Sequence, residues 1–169
     1  ADALKCELAA VLMGDGISSL AENLIKAGAD KVYVADNPML KYFDDEAYAG
    51  VLAQMAEQYK PEIIWTGATA VGRAFFPRVS IKLNAGLTAD CTAFELDLEN
   101  RNLFQIRPAF GGNLMAKIAT PEKRPQMSTA RYKVFKAIAP DPSRKGEIVK
   151  PEIKYDSIKV RAKMVEFIQ

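Results

Sequence analysis

The 169-residue sequence contains no histidine. Histidine is the side chain that most often serves as a general base and most often binds a metal. A serine–histidine–aspartate or cysteine–histidine hydrolase is therefore excluded, and a zinc enzyme is not expected. We expect any chemistry in which the chain takes part to come from a cofactor rather than from its own side chains.

Cysteine and long apolar runs are also scarce. Cys6 and Cys91 are the two cysteines; they are too few for a disulfide framework, and their separation matches no zinc-binding pattern. No apolar run reaches the roughly 18 residues of a membrane span, and no charged and then apolar leader marks a secretion signal. The sequence predicts a cytoplasmic protein with no membrane insertion and no metal site.

Charge is balanced overall but not along the chain. The net charge is +2, with 49% hydrophobic and 26% charged residues, which fits one globular domain over 1–169. Residues 1–60 carry a balance of −5 and residues 61–169 a balance of +7. The basic part could face an anionic cofactor or an acidic partner, although solvated surface lysines give the same count. No basic and aromatic motif indicates nucleic acid.

Strands and helices alternate in the first half. Short apolar runs predict strands at 8–13, 32–35 and 63–66, and apolar residues at helical spacing predict helices at 17–25, from Asp44 or Asp45 to Tyr59, and at 70–84. Pro77 falls inside the last helix, where it must lie in the first turns or kink them. This alternation favours a Rossmann-type, three-layer α/β/α fold with a parallel sheet.

The third strand runs into a glycine-containing turn at Gly67. Thr69 is placed to cap the following helix, and Arg73 lies in its first turns. A strand–helix joint of this kind is where open α/β sheets place ligands, so the turn is a candidate nucleotide or partner contact. Its glycine spacing fits neither a phosphate-cradling loop nor GxGxxG, and a joint with no ligand is the alternative.

The second half has a different pattern. Period-two alternation and turn residues predict strands at 94–98, 103–106, 114–119, 127–130 and 132–138, in an antiparallel arrangement that also takes in 87–92. Prolines and a glycine predict a loop or linker over 139–154, and 157–168 ends in a predicted strand. Both ends of the chain are expected to be truncated.

Three segments together carry a family resemblance. They are Gly-Ala-Thr-Ala-Val-Gly-Arg (67–73) with Pro77-Arg78, Leu-Asn-Ala-Gly-Leu-Thr-Ala-Asp-Cys-Thr (83–92), and Ile-Arg-Pro-Ala-Phe-Gly-Gly-Asn (106–113) followed by Arg-Pro-Gln-Met (124–127). In this order and at these separations they closely resemble the amino-terminal domain of the electron transfer flavoprotein alpha subunit. The resemblance covers nearly the whole chain.

The resemblance implies an adenine-nucleotide-hydrolase-like fold and a heterodimer with a beta subunit. Such a dimer passes electrons between flavin dehydrogenases, those of acyl-CoA type among them, and an acceptor. FAD is then held mainly by a carboxyl-terminal alpha domain, which this chain lacks, and by the beta subunit, so this domain alone holds none. The loop at 107–113 is similar to alpha subunits of anaerobic bacteria and archaea, some of which bifurcate electrons with NADH and ferredoxin.

The resemblance also implies a role for that loop. Arg107 is expected to face a flavin held by the partner subunit, together with its neighbours in the loop, which are Pro108, Phe110, Gly111, Gly112 and Asn113. A permanent guanidinium charge there would tune the flavin's potential rather than transfer protons. The alternatives are that Arg107 pairs with an interface carboxylate and that Asn113 only holds the glycine turn.

The remaining candidates receive structural interpretations. Asp90 is expected to accept backbone N–H bonds, Cys91 to be a buried hydrophobe and Trp65 to pack in a core or interface. Arg124 and Arg131 are expected to form surface or interface pairs. The alternative for the whole chain is a stand-alone adenine-nucleotide-binding module that uses the Gly67 turn.

Overall fold

The computed structural model describes residues 1–162 and Val165. The chain divides into two compact units, the first made of Ala1–Val51 and the chain from Ala137 onward, the second made of Leu52–Lys136. Each unit is described below by itself. The single domain over 1–169 stays a prediction.

The first unit is built on a parallel sheet of three strands in the order β1-β2-β9, with β1 at Ala9–Gly14, β2 at Lys31–Asp36 and β9 at Glu147–Val149. The first two strands lie where the apolar runs predicted them. A small apolar core connects helix α1 (Ala21–Lys26) to this sheet. Its buried members are Ala21, Ile25, Ala29, Val32 and Val34.

Strand β9 corrects the prediction of an unbroken loop over 139–154. Its pairing with β2 begins with the Glu147 N–H, which donates to the Asp30 carbonyl at 2.9 Å. Gly146 makes this approach possible, because a Cβ there would lie 2.7 Å from the same carbonyl oxygen. A three-residue strand has no periodicity of its own to detect, so only the neighbouring strand reveals it.

The first predicted helix begins later than its apolar spacing suggests, whereas the second begins where it was predicted. The region predicted as helix over 17–25 starts as a 3-10 turn at Ser18–Leu20 and becomes α-helical only at Ala21. Helix α2 spans Asp45–Tyr59, and Asp44 caps it as predicted, its Oδ1 accepting the Ala47 N–H at 2.8 Å. The longest described helix is α2, and no helix among the described residues is long and apolar enough to cross a membrane.

The second unit contains a parallel sheet in the order β3-β8-β4, with β3 at Ile63–Gly67, β8 at Gln126–Ala130 and β4 at Leu87–Cys91. This corrects the antiparallel arrangement predicted for the segments at 87–92 and 127–130. Strand β8 returns to pair between β3 and β4, and four of its five residues are buried. The α/β fold with a parallel sheet and additional antiparallel strands is confirmed.

An antiparallel meander follows β4, as its alternation predicted. Strands β5 (Ala93–Asp97), β6 (Asn102–Ala109) and β7 (Leu114–Ile118) pair in sequence order. The strand predicted at 132–138 is not formed, and the described start of the one predicted at 157–168 is not a strand. Residues 132–138 contain a turn and irregular chain, and a 3-10 turn at Tyr155–Ser157 followed by irregular chain replaces the start of the strand at 157–168. Apart from Val165, the rest of that predicted strand, from 163 onward, lies outside the described residues.

Helix α3 (Ala70–Lys82) follows β3 and is capped as predicted. The Gly72 N–H donates to the Thr69 Oγ1 at 3.1 Å. The helix ends two residues before the predicted bound at 84, and Asn84 takes a left-handed φ of 49°. Pro77 lies in the second half of this helix and not in its first turns. The local sequence signals therefore predicted the start of the helix correctly and its end with an error of two residues.

Candidate functional site

Strand β6 ends in the loop that carries the predicted site. Arg107, Pro108 and Ala109 are its last residues, and a 3-10 turn follows at Phe110–Gly112. Three successive residues take positive φ, at 48° for Phe110, 69° for Gly111 and 93° for Gly112. Only glycine takes such angles without cost, which explains the pair of glycines. The Phe110 side chain is 82% exposed.

This loop lines a cavity of about 410 Å³. The lining consists of Arg107, Pro108, Ala109, Phe110, Gly111, Gly112 and Arg131. Five of the six loop residues singled out in the sequence therefore share one cavity. Asn113 lies outside its lining, and its backbone N–H donates to the Phe110 carbonyl at 3.5 Å; the role of its side chain stays a prediction.

Arg131 is the charged cavity residue that the sequence analysis did not place in the site but expected only to form a surface or interface pair. It stands directly after β8, and its guanidinium binds Asp90 through two bonds, Nε to Oδ1 at 3.2 Å and NH2 to Oδ2 at 2.7 Å. The two residues are 41 positions apart in sequence. No local pattern joins them, because the parallel pairing of β4 with β8 alone brings them together.

Asp90 is the centre of a small charged cluster. Besides Arg131 it pairs with Arg73, whose NH2 lies 3.2 Å from Oδ1, while the Arg73 Nε donates to the Ala68 carbonyl at 3.1 Å. The Asp90 N–H donates to the Thr129 Oγ1 at 2.8 Å. This corrects the expectation that the carboxylate accepts backbone N–H bonds: its partners are two guanidinium groups.

Asp90 and Arg131 each stabilise the charged form of the other. The hydrogen bond from Arg131 is the largest influence on Asp90 and, with the charges of Arg131 and Arg73, holds the pKa of its carboxyl below the usual 3.8 against the opposing effect of burial. The same bond raises the pKa of Arg131. Two cations against one carboxylate leave this cluster with a positive balance beside the cavity.

The charge of Arg107 acts on the Cys91 thiol. Burial raises the pKa of the Cys91 thiol, and the charge of Arg107 opposes that shift. Cys91 is fully buried and not disulfide-bonded, so the interpretation of a small buried hydrophobe is confirmed. A protonated, inaccessible thiol is not a nucleophile. Among the described residues no cluster of acidic, cysteine or histidine side chains could hold a metal ion.

The Gly67 turn is built differently from its prediction. A Cβ at Gly67 would meet only the Thr69 Cγ2, at an ordinary 3.5 Å, whereas a Cβ at Gly72 would lie 2.0 Å from the Gly67 carbonyl oxygen. Gly72 is thus the residue that allows α3 to approach β3. Arg73 and Thr69 are both engaged in internal hydrogen bonds here, and neither Gly67 nor Thr69 lines the cavity.

In the first unit, the Asp36 side chain at the end of β2 binds the backbone amides of the turn that follows β1. Asp36, the last residue of β2, accepts the Gly16 N–H at 2.6 Å, the Ser18 N–H at 3.1 Å and the Ser18 hydroxyl at 2.6 Å. These bonds lower the pKa of Asp36, the Ser18 hydroxyl contributing most. The amides that a nucleotide phosphate would need are thereby already occupied by a carboxylate.

Trp65 belongs to an aromatic stack. Its ring lies 4.5 Å from that of Phe94, and Phe94 in turn stacks on Phe135 at 5.4 Å. Trp65 remains 51% exposed.

Arg124 donates hydrogen bonds to the carbonyls of Pro121, Lys123 and Arg101 and so stabilises a loop of the second unit.

Together these features describe an α/β chain with parallel sheets and a cavity lined by two guanidinium groups. Comparison with known proteins gives the family: residues 1–155 match the model of the electron transfer flavoprotein domain, and the chain belongs to this family. The resemblance seen in the three sequence segments is confirmed.

Relatives of this chain include electron transfer flavoprotein alpha subunits. It is 46% identical over 165 residues to that subunit of Thermoanaerobacterium thermosaccharolyticum, covering 98% of this chain and 50% of the relative. The subunit of Clostridium acetobutylicum is 41% identical over 171 residues, with 100% and 51% covered. The LctC subunit of the lactate dehydrogenase (NAD(+),ferredoxin) of Acetobacterium woodii is 55% identical over 128 residues, with 76% and 30% covered. The chain spans about half the length of the alpha subunits it matches, or less.

Proposed function

We propose that this chain is the amino-terminal domain of an electron transfer flavoprotein alpha subunit, that it docks a beta subunit, and that its 107–112 loop with Arg131 forms one wall of a flavin site on that partner. The observation that carries the proposal is the cavity of about 410 Å³ in which Arg107 and Arg131 meet the exposed, glycine-containing loop. The alpha-subunit relatives support the assignment to that half of the heterodimer.

The residues of the cavity fit an FAD isoalloxazine. Guanidinium groups are permanent cations and planar donors, suited to the carbonyl-rich edge of the ring. Among the described residues, no atom beyond the neighbouring residues lies within 4 Å of a Cβ placed on Gly111 or Gly112, so backbone there is open to approach. When bound, the flavin supplies the electron transfer. The role of Arg107 and Arg131 is to hold positive charge beside it, which favours its anionic reduced form and raises its potential.

Membership of this family also supports a proposal about the partners of the intact heterodimer. We propose that it exchanges electrons with a flavin dehydrogenase, of acyl-CoA type or another. One relative is the acryloyl-CoA reductase electron transfer subunit beta of Anaerotignum propionicum, 40% identical over 158 residues. A bifurcating type with NADH and ferredoxin is supported by the name of the Acetobacterium woodii relative.

The test is the reduction potential of the beta-subunit flavin in the intact alpha–beta complex. Arg107→Ala should lower it by on the order of 30 mV, since a charge interaction of about 1.4 kcal/mol corresponds to that shift for a two-electron couple. Arg101→Ala is the matched control: it removes a guanidinium that pairs with Glu62 and does not line the cavity. A potential unchanged by Arg107→Ala would leave Arg107 a structural residue.

The alternative of a self-sufficient nucleotide-binding module has its own measurement. Calorimetric titration of the 169-residue chain with AMP or ATP should show no tight binding, because the Gly67 turn is held by internal bonds and the strand end at Asp36 is closed. Tight binding of either nucleotide would favour the module instead.

A further inference from the structure

Asp90 occupies an irregular position in β4. Its φ is 62°, in the left-handed region that a residue other than glycine rarely adopts. The pairing of β4 with β8 shifts register between Thr88 and Cys91, which places Asp90 in a bulge. Bulges redirect a side chain, and a left-handed residue persists only where its surroundings compensate for the strain.

The compensating contacts of Asp90 lead to the cavity. Both oxygens of the carboxylate accept hydrogen bonds from the Arg131 guanidinium, and one of them also pairs with Arg73. The Asp90 side chain is 20% exposed. Arg73 is itself anchored on the Ala68 carbonyl. Asp90 therefore holds Arg131 through two hydrogen bonds, which fix the plane of the guanidinium as well as its position.

Arg131 is at the same time a lining residue of the cavity, together with Arg107. We infer that Asp90 is a positioning residue, which holds the Arg131 guanidinium at the cavity so that Arg131 and Arg107 face the anionic edge of the bound group as a pair. This inference rests on the proposed function, in which that group is the flavin of the beta subunit.

The sign of one substitution separates positioning from plain electrostatics. Asp90→Asn removes a negative charge near the cavity, and by charge alone it would raise the flavin potential. If Asp90 acts by holding Arg131, its loss frees the guanidinium and the potential falls, as it does in Arg131→Gln. Asparagine tolerates left-handed backbone, so the substitution leaves the bulge itself little affected.

The experiment measures the potential of the beta-subunit flavin in the intact alpha–beta complex for four variants: Arg107→Ala, Arg131→Gln, Asp90→Asn, and the Asp90→Asn/Arg131→Gln double variant. Thermal unfolding verifies that each complex is folded. We expect a downward shift in all four. The double variant should shift no further than Arg131→Gln alone, because the two single changes then remove the same interaction.

The outcomes distinguish this inference from the proposed function. A shift in Arg107→Ala with a raised or unchanged potential in Asp90→Asn, or additive shifts in the double variant, overturns the positioning role and leaves the proposed function standing. An unchanged potential in Arg107→Ala and in Arg131→Gln overturns both.

Discussion

The strand end at Asp36 and the loop at 107–112 place polar groups in opposite ways. In the first, a carboxylate satisfies the amides of the adjoining turn, Gly16 and Ser18. In the second, Arg131 and Arg107 border a cavity beside two glycines with open space around them. The first turn is complete in itself, and the second has charge and backbone available for another molecule. Binding capacity thus depends on which polar groups the fold has not already used.

The same contrast applies to the start of α3. Gly67, Thr69 and Arg73 have the composition of a ligand-binding turn, yet Thr69 caps its own helix and Arg73 pairs with Asp90. A glycine and a hydroxyl after a buried strand therefore do not by themselves indicate a ligand. Arg131 pairs with the same carboxylate as Arg73, and what distinguishes it is that it also lines the cavity, which Gly67, Thr69 and Arg73 do not.

The largest expected effect concerns this joint as a packing element. Gly72→Ala places a Cβ 2.0 Å from the Gly67 carbonyl oxygen, a backbone atom that cannot move aside alone. We expect the second unit to lose about 3 kcal/mol of stability or more, as overpacked sites do. Denaturant unfolding of the full-length subunit measures it.

Gly67→Ala is the matched control for this prediction, because its Cβ would make only an ordinary 3.5 Å contact with Thr69. We expect a change well below that of Gly72→Ala. Equal losses for the two variants would show that the turn, rather than the helix approach, requires glycine.

The two cysteines give a second measure of the difference between the units. Cys6 of the first unit is exposed and Cys91 of the second is fully buried, with a pKa raised by burial. A thiol reagent at neutral pH should label Cys6 roughly 100-fold faster than Cys91 or more, because Cys91 becomes accessible only when the structure around it opens locally. Mass spectrometry of peptides over time gives both rates. Comparable rates would mean that the β4–β8 pairing opens readily.

The smallest effect is expected at the closed strand end. Asp36→Ala removes the acceptor of the Gly16 and Ser18 bonds and should lower the melting temperature by a few degrees without creating nucleotide binding. Calorimetry with AMP provides the second readout. Nucleotide binding gained in this variant would show that Asp36 alone blocks a functional site.

The pH dependence of stability independently tests the contributions of Asp36 and Asp90 to the fold. Both have folded-state pKa values lowered below 3.8, so each stabilises the fold above that pH, and the contribution is lost as the pH falls through the folded value. Melting temperatures of wild type and Asp36→Ala should therefore converge as the pH falls below about 4. A difference that persists there would assign the effect to packing instead of charge.

Much of the fold was predictable from local patterns. The apolar runs at β1, β2 and β3 located strands, and Thr69 and Asp44 located helix starts, because a cap or a buried strand depends on residues close in sequence. The partners of the strands were less predictable. The segment at 127–130 has the composition of a strand, but only its insertion between β3 and β4 makes it parallel.

The candidate site divides in the same way. Arg107 through Gly112 are adjacent in sequence, so their joint presence in one cavity was foreseeable from the glycine pair and the arginine. Arg131 and its link to Asp90 were not, since 41 residues separate the two. The correct expectation for Asp90 needed the identity of Arg131, which follows another strand.

The sequence by itself determined the absence of histidine chemistry, the family and the positions of most strands and helices, because these depend on composition, motifs and neighbouring residues. Tertiary structure alone decided that β8 lies between β3 and β4, that Gly72 rather than Gly67 is sterically required, and that Asp90 pairs with Arg131, a residue of the cavity lining. These last features are contacts between residues distant along the chain, and such contacts exist only once the backbone has folded and brought them within hydrogen-bonding distance.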